Sequence, residues 1–213
     1  PLGQVVSGFE TVFEDELILG STTTCRLGTP LYPEFMSLSL WPELPTISKR
    51  RFDPVEISDE DAELLAERIF PFWKDRTIIE TVRRDLADPE LSSLSEKMVF
   101  FTLTKANGIS HLIPDYQSLL AKGLAALMSE ARQREEHATD DEARELYQAV
   151  QIAFDGVIAL ANRYARHCEG LAKNRNTPRE RARELSNIAA ILNKVPAEPA
   201  ETLHEALQSI WIV

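Results

Sequence analysis

The stretch GISHLIPDYQSLLAKGL, residues 108–124, carries the side chains that are best suited to chemistry. His111 and Asp115 flank Pro114, immediately before a run with the spacing of an amphipathic helix. An imidazole can donate or accept a proton near neutral pH, and a carboxylate in the first turn favours the helix start. His111 and Asp115 are therefore candidate substrate-binding residues at the rim of a site. Helix capping by Asp115 and packing of His111 against nearby backbone are the alternative interpretation.

Other catalytic and metal-binding patterns are weak in this sequence. His137, His167 and His204 lie on separate predicted helices, and Cys25 and Cys168 are far apart. Zinc sites need closely spaced ligands, such as His-x-x-x-His or Cys-x-x-Cys, which this arrangement does not provide. The sequence also has no nucleophile elbow for Ser-His-Asp catalysis. We therefore expect no metal site and no catalytic residue in this chain.

Composition and charge exclude several classes of protein. The 213 residues are 44% hydrophobic and 27% charged, which is enough for one large domain or two small ones. The net charge is −11 and the longest basic cluster is Lys49-Arg50-Arg51, so binding to nucleic acid is not expected. No stretch of about 18 apolar residues is present, so we expect no membrane span. Two cysteines and a non-secretory amino terminus predict a cytoplasmic location.

The first 57 residues differ from the rest of the chain. Residues 1–20 predict short extended segments, and residues 21–57 are rich in proline, threonine and aromatic residues with no helical period. A loop of that length usually serves a function or packs on other structure. We therefore predict a wrapping segment over residues 1–57 and a helical region over residues 58–213.

Helical periodicity dominates after residue 57. Two predicted helices start at Ser58 and at Pro114. Four more span residues 77–86, 92–106, 139–173 and 178–193, and the last one starts at Thr202. The expected buried positions are Leu64, Leu65, Ile69 and Phe72 in the first helix, Leu146, Val150, Phe154, Ala161 and Tyr164 in the longest, and Leu185, Ile188, Ala189 and Leu192 in the next. These elements must position the residues named above.

The last predicted helix ends in Ile210-Trp211-Ile212-Val213. Chain termini are usually polar and frayed, and an uncovered apolar end is a liability in water. We therefore expect this chain to be a piece of a longer polypeptide.

Six segments, in order, resemble the amino-terminal portion of the glycyl radical enzymes, the pyruvate formate-lyase-like group of glycerol and diol dehydratase type. They are EDELILGST, the pair Pro33-Glu34, PFWKDRT at 71–77, GISHLIPDYQSLLAKGL, FDGVIALANRYARHCEGLA and NKVPAEPAETLHEALQSIW. The resemblance implies a mainly α chain, the helical shell portion of an α/β barrel, with short extended segments near the amino terminus. It also implies that one larger domain continues beyond Val213.

The resemblance implies radical chemistry in an intact parent enzyme. A glycyl radical, installed by a radical S-adenosylmethionine activating enzyme, takes hydrogen from a cysteine thiol, and the thiyl then takes one from a small substrate. The family's G-C-V-E cysteine loop and R-V-[ST]-G-Y glycine loop are both missing from this sequence. The chain itself should therefore bind no cofactor and be inactive alone. Its implied partners are the remainder of the enzyme, the activating enzyme and the substrate, in a parent that is a homodimer.

Two functions follow from these expectations. The first is the amino-terminal portion of a lyase or dehydratase that cleaves a C–O, C–C or C–heteroatom bond of a small hydroxylated or carboxylated substrate. In dehydratase-type members the residue matching His111 reaches the substrate and hydrogen-bonds a hydroxyl. The second is a stand-alone helical interaction module without catalysis.

Overall fold

The computed structural model describes residues 11–21, 37–52, 54–77, 80, 81, 84, 88, 90, 93, 94 and 113–213. Helices dominate the described residues, and no β-strand occurs among them. The prediction of a mainly α chain is therefore confirmed. The helices predicted over 77–86 and 92–106 fall largely outside the described residues.

The chain divides into two compact units. One comprises Pro1–Gly28 together with Pro114–Val213, and the other comprises Thr29–Ile113. The predicted division into a wrapping segment over residues 1–57 and a helical region over 58–213 stays a prediction. So does the larger domain that was expected to continue beyond Val213.

The unit from Thr29 to Ile113 holds short helical elements. Two 3₁₀ helices span Ser37–Glu43 and Ile47–Lys49. Helix α1, Asp59–Leu64, continues through a π-helical turn, Leu65–Ile69, into α2, Phe70–Trp73. As predicted, Ser58 caps α1: its hydroxyl accepts the backbone N–H of Asp61 at 3.0 Å, and acidic residues occupy the first turn.

The π-helical turn changes which side chains of this run are buried. Phe70 is fully buried and its ring centroid lies 5.6 Å from that of Trp41, whereas the expected core residues Leu64 and Phe72 are exposed. A π-helical turn contains one residue more than an α-helical turn, so positions after it are displaced from the 3.6-residue stripe. The prediction of burial was therefore wrong for Phe72, which follows the π-helical turn. It was also wrong for Leu64, which precedes that turn and is exposed, while Leu65 and Ile69 are half-buried.

The other unit is built from four longer helices with side-chain caps at three of their starts. They are α3, Tyr116–Glu136; α4, Asp141–Ala172; α5, Arg179–Lys194; and α6, Leu203–Ile212. Asp115, Asp140 and Thr202 accept backbone N–H groups in the first turns of α3, α4 and α6. The predicted helices over 139–173 and 178–193 are confirmed, as is a helix that begins after Thr202.

The core of this unit lies between α4 and α5. Its buried side chains include Leu19, Ala161, Tyr164, Ala165, Cys168, Leu185, Ile188, Ala189, Leu192 and Ile212. The four α5 positions that the periodicity predicted as buried are all buried. Leu146 is exposed, contrary to expectation. The expected Val150 and Phe154 are half-buried and face α3 together with Tyr147.

Residues 11–21 form turns that are held against the helices by side chains. The amide of Gln208, on α6, donates to the carbonyl of Leu19 at 2.6 Å and accepts the N–H of Leu19 at 2.8 Å. Both residues are fully buried. One side chain therefore satisfies both backbone polar groups of a residue that water cannot reach.

Two further helices bind the same segment. The hydroxyl of Tyr164, on α4, donates to the carbonyl of Ser21 at 2.6 Å. The guanidinium of Arg181, on α5, donates to the carbonyls of Phe13 at 2.8 Å and Glu16 at 2.9 Å. Hydrogen bonds to the backbone of residues 11–21 thus attach this segment to α4, α5 and α6.

Gly123 interrupts α3. Its φ of 74° and ψ of 161° lie in a region that essentially only glycine occupies. The N–H groups of Leu124 and Ala125 consequently turn to the carbonyls of Pro196 and Ala197, at 2.8 and 3.0 Å. The break therefore joins α3 to the connection between α5 and α6.

We expect Gly123→Ala to destabilise the protein by about 3 kcal/mol or more. A Cβ at this position would lie 2.4 Å from the carbonyl oxygen of Ala197, and the backbone angles are strained for any L side chain. Gly170→Ala is the matched control, because Gly170 is helical and a Cβ there meets nothing within 4 Å. That variant should be stabilised by about 0.5–1 kcal/mol. Urea unfolding of both variants measures the difference, and equal stabilities would contradict the assignment.

Gln208→Leu should cost about 2–4 kcal/mol of unfolding free energy, because it leaves the buried N–H and C=O of Leu19 without partners. Ser209→Ala, at the neighbouring buried position, should cost less than about 1 kcal/mol, since the Ser209 hydroxyl donates only to the carbonyl of Glu205 within the helix. The same urea titration compares the two. A Gln208→Leu protein as stable as Ser209→Ala would show that water reaches Leu19.

Candidate functional site

The first turn of α3 positions the predicted site residue Asp115. One carboxylate oxygen accepts the backbone N–H of Ser118 at 3.0 Å, and the other accepts its hydroxyl at 2.6 Å. These two bonds lower the pKa of Asp115, the hydroxyl contributing most. Asp115 is therefore an N-cap, as the alternative interpretation of the sequence proposed. Each carboxylate oxygen still has capacity for a second donor.

A groove of about 550 Å³ runs beside this helix start, within the unit that contains α3 and α4. Its floor is apolar and its edges carry charged side chains. The lining residues are Pro114, Asp115, Ser118, Leu119, Lys122, Leu124, Leu127, Glu130, Ala131, Arg134, Tyr147, Val150, Phe154 and Val213. Such a surface can bind the apolar part of a ligand or of another protein segment, with polar groups fixing its orientation.

Charge pairing fixes one edge of the groove. The ammonium of Lys122 donates to Glu130 at 2.7 Å, eight residues further along α3. That bond lowers the pKa of Glu130, which favours the ionised carboxylate. Neither the groove nor this pair was evident from the sequence, because the break at Gly123 changes which α3 side chains share a face.

The second predicted site residue, His111, lies outside the described residues. Ile113, two residues later, is 90% exposed. The substrate-binding role of His111 and of Asp115 therefore stays a prediction. Of the other histidines, His137 lies at the end of α3 and contacts the carbonyl of Gln133 at 2.7 Å, and His204 contacts the carbonyl of Leu17 at 2.9 Å.

The described glycines and cysteine do not fit a radical centre. Gly123 packs against the backbone at Ala197, Gly20 lies beside the indole of Trp211, and Gly156 and Gly170 are inside α4. Cys168 is fully buried, and burial raises the pKa of its thiol to about 11. A thiol that is buried and neutral is a poor nucleophile, so Cys168 is a packing residue of the core.

Within the part of the chain that the structure describes, no group of three or more His, Cys, Asp or Glu side chains is arranged to hold a metal ion. None of the described helices combines the length and the apolar character needed to cross a membrane.

The sequence and the fold both match one family. The pyruvate formate lyase-like family model matches residues 9–213, and the chain belongs to this family. The resemblance to the amino-terminal portion of the glycyl radical enzymes is thereby confirmed.

Individual relatives agree with the family assignment. The isethionate sulfite-lyase of Desulfovibrio desulfuricans is 31% identical over 219 residues, covering 94% of this chain and 26% of the relative. A crystal structure of a glycyl radical enzyme from Archaeoglobus fulgidus superposes with a TM-score of 0.84 at 31% identity, covering 99% of this chain and 28% of that one. A structure from Roseburia inulinivorans, described for 1,2-propanediol dehydration, gives 0.84 at 30% identity, covering 99% and 26%. The chain thus spans about a quarter of the length of these relatives.

Asp115→Ala should lower the midpoint of thermal unfolding at pH 7, because α3 loses its cap. Asp115→Asn should retain most of the stability, since its amide oxygen also caps. The pKa of Asp115 is lowered by folding, so its stabilisation is complete above the ordinary value of 3.8 and is lost as the pH falls through the lowered pKa. The gap between wild type and Asp115→Ala should therefore narrow in acid. A gap that is constant from pH 7 to pH 3 would show that the carboxylate charge contributes nothing.

Proposed function

We propose that this chain is the amino-terminal portion of a glycyl radical lyase or dehydratase. The family match over residues 9–213 carries the proposal, together with relatives of both kinds. The relatives include an enzyme that releases sulfite and one described for dehydration, so the bond cleaved is C–O or C–heteroatom, with C–C cleavage as the further family option. The chain contributes helices that surround the reaction site.

We further propose that the substrate is a small hydroxylated or carboxylated molecule. Isethionate and 1,2-propanediol, named for two of the relatives, both carry a hydroxyl group. His111 would hydrogen-bond that hydroxyl, because an imidazole can donate or accept near neutral pH. Asp115, held as a carboxylate by Ser118, would accept a second hydrogen bond from the substrate.

The chemistry itself would be supplied outside these 213 residues. The glycyl radical supplies hydrogen-atom abstraction through a cysteine thiol, and the family's loops for both groups are missing from this sequence. We therefore propose that the chain is inactive when it is alone. Its partner would be a radical S-adenosylmethionine activating enzyme, and the parent enzyme would be a cytoplasmic homodimer. Within that parent the present residues would bind and orient the substrate and exclude water.

His111→Ala in the full-length enzyme should lower kcat/KM by about 100-fold, with a lower kcat and a higher apparent KM. The glycyl radical signal in electron paramagnetic resonance should keep its wild-type intensity, because His111 acts on the substrate. His137→Ala is the matched control: His137 is exposed and contacts only the end of its own helix among the bonds described. Its kinetics should equal those of wild type.

Unchanged kinetics of His111→Ala would leave His111 as a packing residue and remove the substrate-binding role. A full-length gene product that lacks a Gly-Cys segment and gives no radical signal after activation would instead remove the enzymatic function. The helical interaction module would then be the better description of the chain.

A further inference from the structure

Helix α4 exposes one face along most of its length. Counted at about 100° per residue, the exposed positions centre on Ile152, whose side chain is 62% exposed. The face is acidic near the start of the helix and basic near its end. We call it the outer face of α4 and define it by Glu142, Glu145, Ile152, Gly156, Arg166 and Lys173.

The charged groups at the two ends of this face have no ion-pair partners in the described part of the chain. Glu142 and Glu145 are exposed and unpaired at the acidic end, as Arg166 and Lys173 are at the basic end. The helix dipole favours acids in the first turn and cations in the last, which accounts for Glu142 and Lys173. Glu145 and Arg166 lie beyond those turns, so their placement needs another explanation.

The two charged ends lie almost equally far from Gly156. Glu145 is 11 residues before Gly156 and Arg166 is 10 residues after it, which places them about 15–17 Å away on either side. A second copy of α4 that runs antiparallel, with a two-fold axis at Gly156, therefore brings each acidic end against a basic end. A parallel copy would place like charges together. The outer face is thus complementary to itself in the antiparallel orientation.

The middle of the outer face suits the close approach of two helices. Ala149, Gly156 and Ala159 carry little or no side chain, and Ile152 projects between them. In the antiparallel pair, Ile152 of one copy packs beside Gly156 and Ala159 of the other, as a ridge enters a groove. Asp155 lies about 60° around the helix from Ile152, at the margin of the contact, where its carboxylate keeps access to water.

We propose that two copies of the parent enzyme associate through the outer face of α4, with the two helices antiparallel about a two-fold axis at Gly156. The inference rests on the proposed function, which includes a homodimeric parent, and it names the surface and the orientation. Charge selects a second copy as the occupant. A uniformly acidic partner would repel the acidic end of the face, and a uniformly basic partner would repel the other end.

Charge reversal in the full-length enzyme tests this surface. The acidic-end variant Glu142→Lys/Glu145→Lys should weaken the dimer at least about 100-fold, because like charges then meet at both ends of the contact. The basic-end variant Arg166→Glu/Lys173→Glu should do the same. An equimolar mixture of the two variants should form a heterodimer with the wild-type dissociation constant, since opposite charges face each other again. Analytical ultracentrifugation measures the dissociation constants, and native mass spectrometry identifies the heterodimer.

Two further variants complete the test. A chain with all four reversals should dimerise like wild type, because both ends change sign together. Glu60→Lys/Glu63→Lys is the matched control, since these exposed residues of α1 occupy the same positions after their helix start as Glu142 and Glu145 do in α4. Its dissociation constant should equal that of wild type.

Several outcomes would overturn the inference. An active wild-type enzyme that stays monomeric would do so, as would reversal variants that dimerise normally. Failure of both the mixture and the fourfold variant to restore the dimer would assign the outer face to the remainder of the enzyme's own chain. A wild-type dimer that follows the charge pattern but shows neither radical nor activity would instead count against the proposed function alone.

Discussion

The buried backbone of Leu19 sets the main constraint on the helical unit. The segment around it enters the core without a strand beside it among the described residues, so its N–H and C=O groups need other partners. Gln208 and Tyr164 supply them, each reaching across from a different helix. The arrangement fixes the rotation of α6 about its axis, which in turn decides that the helix turns apolar residues outward.

The same requirement for backbone partners shapes α3. A continuous helix through residue 123 would bond only to itself, whereas the break at Gly123 directs two N–H groups to the connection after α5. At the end of α5, the ammonium of Lys194 donates to Glu201 at 2.6 Å and to Glu205 at 3.0 Å. The hydrogen bonds that Lys194 donates to Glu201 and Glu205 raise the pKa of its ammonium, which favours the charged form of Lys194. Hydrogen bonds to α3 and ion pairs at the end of α5 and the start of α6 therefore hold the connection between α5 and α6 in place.

Sequence patterns predicted the helices of this unit well, because their starts carry capping residues and their periodicity is long. The predicted starts at residues 139, 178 and Thr202 lie within two residues of the observed starts of α4, α5 and α6, and α5 buries the four expected side chains. The failures have local causes. A π-helical turn moved the buried position to Phe70, a feature that no residue pattern announces.

The candidate site was less accessible to sequence reasoning than the helices. Asp115 was recognised as a cap and as a possible ligand-binding residue, and the structure establishes the cap. The groove beside it depends on Gly123 and on the pairing of Lys122 with Glu130, which are contacts in space. The inward Gln208 was equally hidden, because a period of 3.6 predicts that the apolar residues around it face the core.

The interruption at Gly123 also has an electrostatic consequence. It divides α3 into two stacks of peptide dipoles, and the second begins at Leu124 with its own partial positive charge. Open helix starts of this kind attract anions such as phosphate or carboxylate groups. Here the carbonyls of Pro196 and Ala197 already accept the first two N–H groups. The protein thus neutralises this helix start with its own peptide oxygens. The partial positive charge there stabilises the contact between α3 and the connection after α5, and these two N–H groups are not available to an anion.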